Sequence, residues 1–149
     1  MKSAPAASPS VLIDTNILIY AYDPSAGDKH RTALETMEEM SISGRMVLSA
    51  QVANEFYWVS TRPGRSPGLA HEEACEILSE ICASGTVLPL TQATTFRALD
   101  AVKLHQLSFW DALIWAVAAE NGISAVYSED CQHGRVIDGV RFCNPFEAT

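Results

Sequence analysis

The stretch Val11-Leu12-Ile13-Asp14-Thr15-Asn16-Ile17-Leu18-Ile19-Tyr20 decides how the N-terminal part of this 149-residue chain folds. Its first three apolar residues predict a short buried strand, and the pattern from Thr15 to Tyr22 predicts a short helix that Asp23-Pro24 closes. Asp14 lies at the junction, where a carboxylate is costly unless another group pairs it. The stretch therefore predicts a strand-to-helix unit with an acidic group at the carboxyl end of the strand.

The rest of the chain repeats this alternation of short apolar runs and longer helical patterns. Such alternation predicts right-handed crossovers and a three-layer α/β/α fold with a central parallel sheet of four to five strands. The further predicted strands are Met46–Leu48, Thr86–Leu90, Ala125–Tyr127 and, after a turn at Ile137–Val140, an edge strand Val140–Cys143. The further predicted helices run from a cap at Asp28 to about Ser43, from Ser49 to about Thr61, from His71 to Ala83, from Thr91 to about His105 and from Ser108 to Glu120.

Length and composition predict a single domain over residues 11–146, preceded by a flexible tail, Met1–Ser10, that is rich in Ala, Pro and Ser. No apolar stretch is long enough to span a membrane, and the tail lacks the apolar core of a secretion signal, so we expect a cytoplasmic protein. The four cysteines include no C-x-x-C pair and are expected to stay reduced.

The formal charge of −8 argues against a large basic surface for non-specific nucleic-acid binding. It does not exclude an enzyme that acts on nucleic acid, because a bound metal would reverse the field locally. The charge is also compatible with a basic protein partner.

Four acidic residues lie where the predicted fold would bring them together: Asp14, Glu55, Asp111 and Asp130. Asp14 and Asp130 follow predicted strands, and parallel sheets bind ligands beyond the carboxyl ends of their strands. Glu55 and Asp111 interrupt otherwise apolar helical patterns, which are poor places for idle charges. Clustered carboxylates repel one another, and a hard divalent cation resolves that repulsion. The sequence therefore predicts a Mg²⁺ or Mn²⁺ site and, from it, phosphate chemistry.

Taken singly, these four residues have simpler interpretations: in chain order, a helix cap, a helix-surface charge, a capping-box residue after Ser108 and a turn residue. Taken together, the simpler interpretations weaken, because all four positions could face one crevice. Asn16 and Ser128 are predicted to hold waters or to orient the carboxylates.

The order and spacing of these motifs resemble the PIN domain family over nearly the whole chain. The segments that carry the resemblance are Val11–Tyr20, Ser49–Phe56 with Glu55, Phe109–Ile114 with Asp111, Tyr127–Asp130 and, as in the bacterial VapC-type toxins, Ile137–Phe146. Each motif alone is weak, but the ordered set is specific.

The resemblance implies a metal-dependent ribonuclease in which Asp14, Glu55, Asp111 and Asp130 bind Mg²⁺ or Mn²⁺ and position an attacking water. It also implies the toxin of a type II toxin–antitoxin pair, which forms a homodimer and receives a basic segment of an antitoxin protein over its acidic site. Glu129 adjoins Asp130 and is a candidate to share its role. The alternative that stays open is a PIN-like module that binds RNA or protein without cleaving it.

Three basic residues are candidates for contact with an RNA substrate. Arg62 and Arg65 lie on the Pro/Gly-rich loop Arg62–Gly68, and His133 follows Asp130 closely. Plain solubility is the simpler interpretation of the two arginines. The aromatic run Phe56-Tyr57-Trp58 covers several faces of one helix, which favours core packing and a protein interface over a platform for base stacking.

Overall fold

The first strand and helix form over the stretch that the sequence predicts. The computed structural model describes residues 8–147, so most of the predicted tail, residues 1–7, lies outside the described residues. Strand β1 comprises Val11–Ile13, which is fully buried, and helix α1 comprises Thr15–Ala21. Asp14 caps α1 by accepting a hydrogen bond from the backbone N of Thr15 at 2.6 Å. The predicted strand-to-helix unit is therefore present, with its acidic residue at the junction.

Within the described residues, pairs of α-helices connect the first four strands, and a short 3-10 helix, Pro24–Ala26, lies within the first connection. The remaining helices are α2 Asp28–Ile42, α3 Ala50–Ser60, α4 His71–Ser84, α5 Gln92–His105 and α6 Phe109–Glu120. The remaining strands are β2 Met46–Ser49, β3 Thr86–Leu88, β4 Ala125–Tyr127, β5 Val136–Ile137 and β6 Val140–Cys143. Ser49 caps α3 as predicted, but Asp28 is the first residue of α2 rather than its cap, because Gly27 takes the cap position with a φ of 63°.

Within residues 8–147, six strands form one sheet in the order β3-β2-β1-β4-β6-β5, in which only β5 runs antiparallel to its neighbour. The prediction that Val140–Cys143 is the edge strand is wrong, since β6 lies between β4 and β5. The reason is the two-residue turn Asp138-Gly139. Both residues have the positive φ, 46° and 80°, that a tight hairpin requires, so β5 folds back onto the outer side of β6.

Strand β3 forms the opposite edge of the sheet and is shorter than predicted. It ends at Leu88, and the next residue, Pro89, has no backbone N–H to donate to a neighbouring strand. Its three residues are exposed or half-buried, in contrast to the fully buried β1 and β2. The sheet is therefore most deeply buried at β1 and β2.

The core lies between the central strands and the helices, and α6 is its most buried helix. Every residue from Ala112 to Ala118 is buried, which explains why this helix is apolar on all sides rather than amphipathic. No helix within residues 8–147 is nevertheless long and apolar enough to cross a membrane. The architecture confirms the predicted α/β fold with a mainly parallel central sheet.

The carboxyl ends of the central strands β1 and β4 lie side by side. The backbone N of Asp14 donates to the carbonyl oxygen of Tyr127 at 2.9 Å, which joins the two ends directly. The segment Ser128–Asp130 leaves the sheet at the same point. Acidic residues that are far apart in sequence are thereby brought to one place.

Candidate metal centre

Three carboxylates from separate parts of the chain meet at the carboxyl ends of β1 and β4. Asp14 follows β1, Asp111 lies in the first turn of α6, and Asp130 lies in the turn after β4. One oxygen from each side chain lies within 4.8 Å of the corresponding oxygens of the other two. Asp14 is buried, Asp111 is half-buried and Asp130 is exposed. We call this cluster of three the acidic centre; it is open to solvent on the side of Asp130.

Asp14 is the most firmly held member of the acidic centre. Its Oδ1 accepts a hydrogen bond from the backbone N of Thr15, and its Oδ2 accepts one from Ser128 Oγ, both at 2.6 Å. Burial nevertheless raises the pKa of Asp14 to about 7, because desolvation outweighs these hydrogen bonds, and the charges of Asp130 and Asp111 raise it further. The apo protein therefore carries a carboxyl group that titrates near neutral pH.

Asn16 and Ser128, the residues predicted to orient the carboxylates, lie between Asp14 and Asp130. Ser128 Oγ accepts from the backbone N of Asp130 at 3.1 Å while it donates to Asp14. Asn16 Nδ2 donates to Asp130 Oδ2 at 3.0 Å and approaches Asp14 Oδ2 at 3.3 Å. Asn16 Oδ1 is buried and has no hydrogen-bond partner among the described residues. A buried acceptor without a partner beside three carboxylates is available to a cation or to a water on that cation.

Asp111 joins a structural role to its place in the acidic centre. Its backbone N donates to Ser108 Oγ at 3.1 Å, so the cap half of the predicted capping box forms. Burial raises the pKa of its carboxyl group, hydrogen bonding to Ser108 and Cys131 opposes that rise, and the charges of Asp130 and Glu55 add to it. The pKa of the Cys131 thiol is itself raised to about 12, by burial first and then by the charges of Asp111, Asp14 and Asp130. Sequence reasoning missed Cys131, although its position directly after Asp130 is a signal that could have found it.

The donor set of the acidic centre fits a hard divalent cation. All three residues offer carboxylate oxygens, the ligands that Mg²⁺ and Mn²⁺ prefer, whereas a closed zinc site would require nitrogen or sulfur. The raised pKa values of Asp14 and Asp111 show that the charged forms are disfavoured when no cation accompanies them. A bound cation would remove that penalty.

Glu55, the fourth predicted acidic residue, lies near the acidic centre but is not part of the group of three. Both of its carboxylate oxygens accept hydrogen bonds: Oε2 from Thr15 Oγ1 at 2.7 Å and Oε1 from Gln51 Nε2 at 2.9 Å. Gln51 Nε2 is also 3.3 Å from the carbonyl oxygen of Trp110. Gln51 precedes Glu55 by one helical turn, a spacing that could have identified it, whereas the contact with Thr15 joins residues 40 positions apart.

Glu129, the candidate to share the role of Asp130, binds Tyr20 and Lys29 instead. Its two oxygens accept hydrogen bonds from Tyr20 Oη at 2.5 Å and from Lys29 Nζ at 2.7 Å. It does not belong to the group of three that surrounds the candidate metal position. The structure therefore brings Asp130, and not its neighbour, to the acidic centre.

The three candidates for substrate contact are all exposed and lie outside the acidic centre. The guanidinium group of Arg62 lies over the ring of Trp58, 5.4 Å from its centre. His133 Nδ1 accepts a hydrogen bond from the backbone N of Asn144 at 2.9 Å. Contact of these residues, and of Arg65 on the same loop as Arg62, with RNA stays a prediction.

Among the described residues, two cavities share Glu55, and the smaller one includes part of the acidic centre. The acidic cleft, of about 280 Å³, is lined by Asp14, Thr15, Asn16, Ile19, Tyr20, Glu55, Val59 and Asp130. The apolar groove, of about 860 Å³, is lined by Ala50, Gln51, Asn54, Glu55, Trp58, Pro89, Leu90, Trp110 and Leu113. Trp58 and Trp110 in the groove are 63 % and 60 % exposed, whereas Phe56 is buried. The larger cavity is therefore the one without the metal-binding chemistry.

Solved structures with the same fold include a toxin and a toxin–antitoxin complex from bacteria. VapC20 of Mycobacterium tuberculosis, described as a toxin that cleaves the sarcin–ricin loop, superposes with a TM-score of 0.63 and 23 % identity over 81 % of this chain and 90 % of that chain. A toxin–antitoxin complex from Klebsiella pneumoniae gives a TM-score of 0.68 and 19 % identity over 93 % of this chain and 100 % of that chain. DNA-bound VapBC from Salmonella typhimurium gives a TM-score of 0.64 and 17 % identity over 91 % and 97 % of the two chains. At these identities the likeness establishes the fold.

The sequence comparisons establish the family. No curated protein matches this sequence significantly. The family model of the PIN domain matches residues 11–137, which include all three residues of the acidic centre, Glu55 and the groove beside it. This chain belongs to the PIN domain family.

Proposed function

We propose that this protein is an endoribonuclease that depends on Mg²⁺ or Mn²⁺ and hydrolyses phosphodiester bonds of RNA. The observation that carries the proposal is the convergence of Asp14, Asp111 and Asp130 from three elements within 4.8 Å of one another in a PIN domain. Nucleases of this kind need clustered oxygen ligands for a cation at the scissile phosphate.

The polar residues in and around the acidic centre each have a part in this chemistry. Asp14, Asp111 and Asp130 would hold the cation, which when bound activates water and stabilises the developing negative charge. Ser128 and Asn16 fix Asp14 and Asp130 through the hydrogen bonds between them. Because Thr15 and Gln51 fix both oxygens of Glu55 at the wall of the same cleft, Glu55 is suited to position the attacking water.

We further propose that the protein is the toxin of a type II toxin–antitoxin pair and acts in the cytoplasm. The structures it resembles include a toxin–antitoxin complex and a toxin described as cleaving the sarcin–ricin loop, which supports RNA as the substrate and an antitoxin protein as a partner. The formal charge of −8 and the acidic cleft suit a basic segment of such a partner.

The apolar groove supports the proposal that the protein forms a homodimer. Trp58 and Trp110 expose most of their surface, and exposed aromatic patches beside a functional site are typical of protein interfaces. A second copy that covers the groove would remove both side chains from water. The groove meets the acidic cleft at Glu55, so such a dimer would place its interface next to the site of cleavage.

The test is cleavage of a panel of structured and single-stranded RNAs with Mg²⁺, with Mn²⁺ and with EDTA, for the wild type, Asp14→Asn and Asp28→Asn. Asp28 is an exposed aspartate at the start of α2 and provides the matched control. We expect metal-dependent cleavage by the wild type and the control, and none by Asp14→Asn. Equal cleavage by all three proteins would refute the proposal. RNA or protein binding by a folded wild type that cleaves nothing would support the alternative, a non-catalytic module.

A further inference from the structure

Lys29, Tyr20 and Glu129 form a closed set of contacts beside the acidic centre, which we call the clasp. Both oxygens of Glu129 are used, by Tyr20 Oη at 2.5 Å and by Lys29 Nζ at 2.7 Å. The Lys29 ammonium group lies 4.9 Å from the centre of the Tyr20 ring and 5.6 Å from that of Phe146. The Tyr20 and Phe146 rings pack edge to face with centres 5.3 Å apart. One ammonium group is thereby held by a carboxylate and two aromatic faces.

The clasp joins segments that are distant in sequence. Tyr20 belongs to α1, Lys29 to the first turn of α2, Glu129 to the turn after β4, and Phe146 to the segment after β6. Glu129 is separated from Lys29 by 100 positions and from Tyr20 by 109. The contact therefore ties the turn that carries Asp130 to α1 and α2.

Asp130 is the member of the acidic centre that most needs such support. Asp14 is buried and Asp111 is fixed in a helix, whereas Asp130 is exposed in a turn and its carboxylate accepts one hydrogen bond, from Asn16 Nδ2 at 3.0 Å. Its backbone N donates to Ser128 Oγ on one side. The adjacent Glu129 is anchored by the clasp, and this anchoring limits the backbone torsions that Asp130 can take.

We propose that the clasp is a positioning device: Lys29 and Tyr20 hold Glu129 so that the carboxylate of Asp130 stays at the acidic centre. The inference rests on the proposed function, since it assigns a role relative to a bound cation. The side chain of Lys29 is 47 % exposed, so an isolated ion pair there would stabilise the fold little, and its importance lies in fixing the turn.

The charges alone make the opposite prediction, which makes the proposal testable. Loss of the Lys29 ammonium removes a positive charge near the cation site, so electrostatics alone would tighten Mn²⁺ binding by Lys29→Met. Loss of positioning would weaken it. A second rival is that Lys29 merely keeps Glu129 away from the cation; in that case Glu129→Gln would leave binding unchanged and would cancel the effect of Lys29→Met in the double variant.

The experiment compares the wild type, Lys29→Met, Glu129→Gln, the double variant and Lys29→Arg with a control, Arg31→Met, which removes an exposed ion pair with Asp28 from the same helix. Calorimetric titration with Mn²⁺ and RNA cleavage kinetics are measured, with thermal melts as the check on folding. We expect Mn²⁺ binding about tenfold weaker in both single variants, no further loss in the double variant, partial recovery in Lys29→Arg and no change in Arg31→Met.

Unchanged or tighter Mn²⁺ binding by Lys29→Met, or recovery in the double variant, would overturn the inference. A wild type that binds Mn²⁺ and cleaves RNA while Lys29→Met matches it would overturn the inference alone. A wild type that neither binds Mn²⁺ nor cleaves RNA would overturn the proposed function and this inference together.

Discussion

The acidic cleft and the apolar groove are neighbours that share one residue and differ in almost every other respect. The cleft, of about 280 Å³, contains two of the three clustered carboxylates and a buried amide oxygen without a partner among the described residues. The groove has about three times that volume, 860 Å³, and its walls include two exposed tryptophans. Glu55 separates the two, with one oxygen bound by Thr15 from the cleft and the other by Gln51 from the groove.

The difference shows why the size of a cavity is a poor guide to its chemistry. Ionised groups in a low-dielectric environment carry a free-energy cost that an apolar surface does not, and a bound cation can offset that cost at clustered carboxylates. The groove instead gains free energy by being covered, as protein interfaces do. The comparison predicts that substitutions in the cleft change metal binding and catalysis, whereas substitutions in the groove change association.

The largest expected effect is on the pH dependence of stability without metal. The pKa of Asp14 is raised from 3.8 to about 7, so between these values the folded protein keeps a proton that the unfolded chain releases. The free energy of unfolding should therefore fall as pH rises from about 4 to 7, by up to about 4 kcal/mol. Asp14→Asn removes this pH dependence because an amide does not titrate. The amide can still accept from the Thr15 N and donate to Ser128 Oγ.

Thermal melts in EDTA at several pH values measure this effect. In Asp14→Asn we expect a flatter pH profile and, at pH 7.5, a melting temperature several degrees above that of the wild type, since each kcal/mol corresponds to about 2–4 °C in a domain of this size. Asp28→Asn, on the exposed surface, should follow the wild type. An Asp14→Asn profile that runs parallel to that of the wild type from pH 4 to 7 would contradict the environment assigned to Asp14.

A smaller effect is expected where the two cavities meet. Glu55→Gln should slow RNA cleavage about a hundredfold, the loss typical of a misplaced attacking water, but should weaken Mn²⁺ binding less than the loss of Asp111 does. The reason is that Glu55 lies outside the group of three and already has both oxygens hydrogen-bonded. Cleavage kinetics and Mn²⁺ titration on the same samples separate these effects. Complete loss of Mn²⁺ binding would place Glu55 among the cation ligands and would contradict its assignment outside the acidic centre.

The smallest effect on the cation site is expected from the groove. Trp58→Ser and Trp110→Ser should weaken self-association in sedimentation velocity experiments and leave Mn²⁺ affinity unchanged, because both side chains are exposed and outside the acidic centre. Ile42→Ser provides the matched control, since Ile42 is 81 % exposed at the end of α2 and does not line the groove. Equal dissociation in the control would show that the groove is not the interface.

Much of the fold could be predicted because its signals are local. The run Val11–Ile13 followed by Asp14, and the cap residue Ser49, each define an element within a few positions, and the structure confirms them. The outer hairpin was missed because β5 has two residues, too few for a period to be visible, although Asp138-Gly139 was recognised as a turn. The pairing of β6 with both β4 and β5 depends on the tertiary structure and is not visible in the local sequence pattern.

The candidate site was predictable to the extent that its residues are unusual for their surroundings. Charges at strand ends or in apolar helices, such as Asp14 and Asp111, are visible from their neighbours alone. The separation of Glu55 from the other three was not visible, because it depends on hydrogen bonds with Thr15 and Gln51. The clasp of Lys29 with Glu129 was missed for the same reason, since ordinary surface charges give no sign of a partner 100 positions away.

The most direct test of the account is calorimetric titration of Mn²⁺ into the wild type, Asp111→Asn and Trp110→Ser at pH 7.5. These substitutions lie at adjacent positions, one in the acidic centre and one in the groove. We predict saturable binding to the wild type, binding at least about tenfold weaker in Asp111→Asn, and unchanged affinity in Trp110→Ser. Wild-type affinity in Asp111→Asn, or equal losses in both folded variants, would contradict the assignment of the cation to the acidic centre.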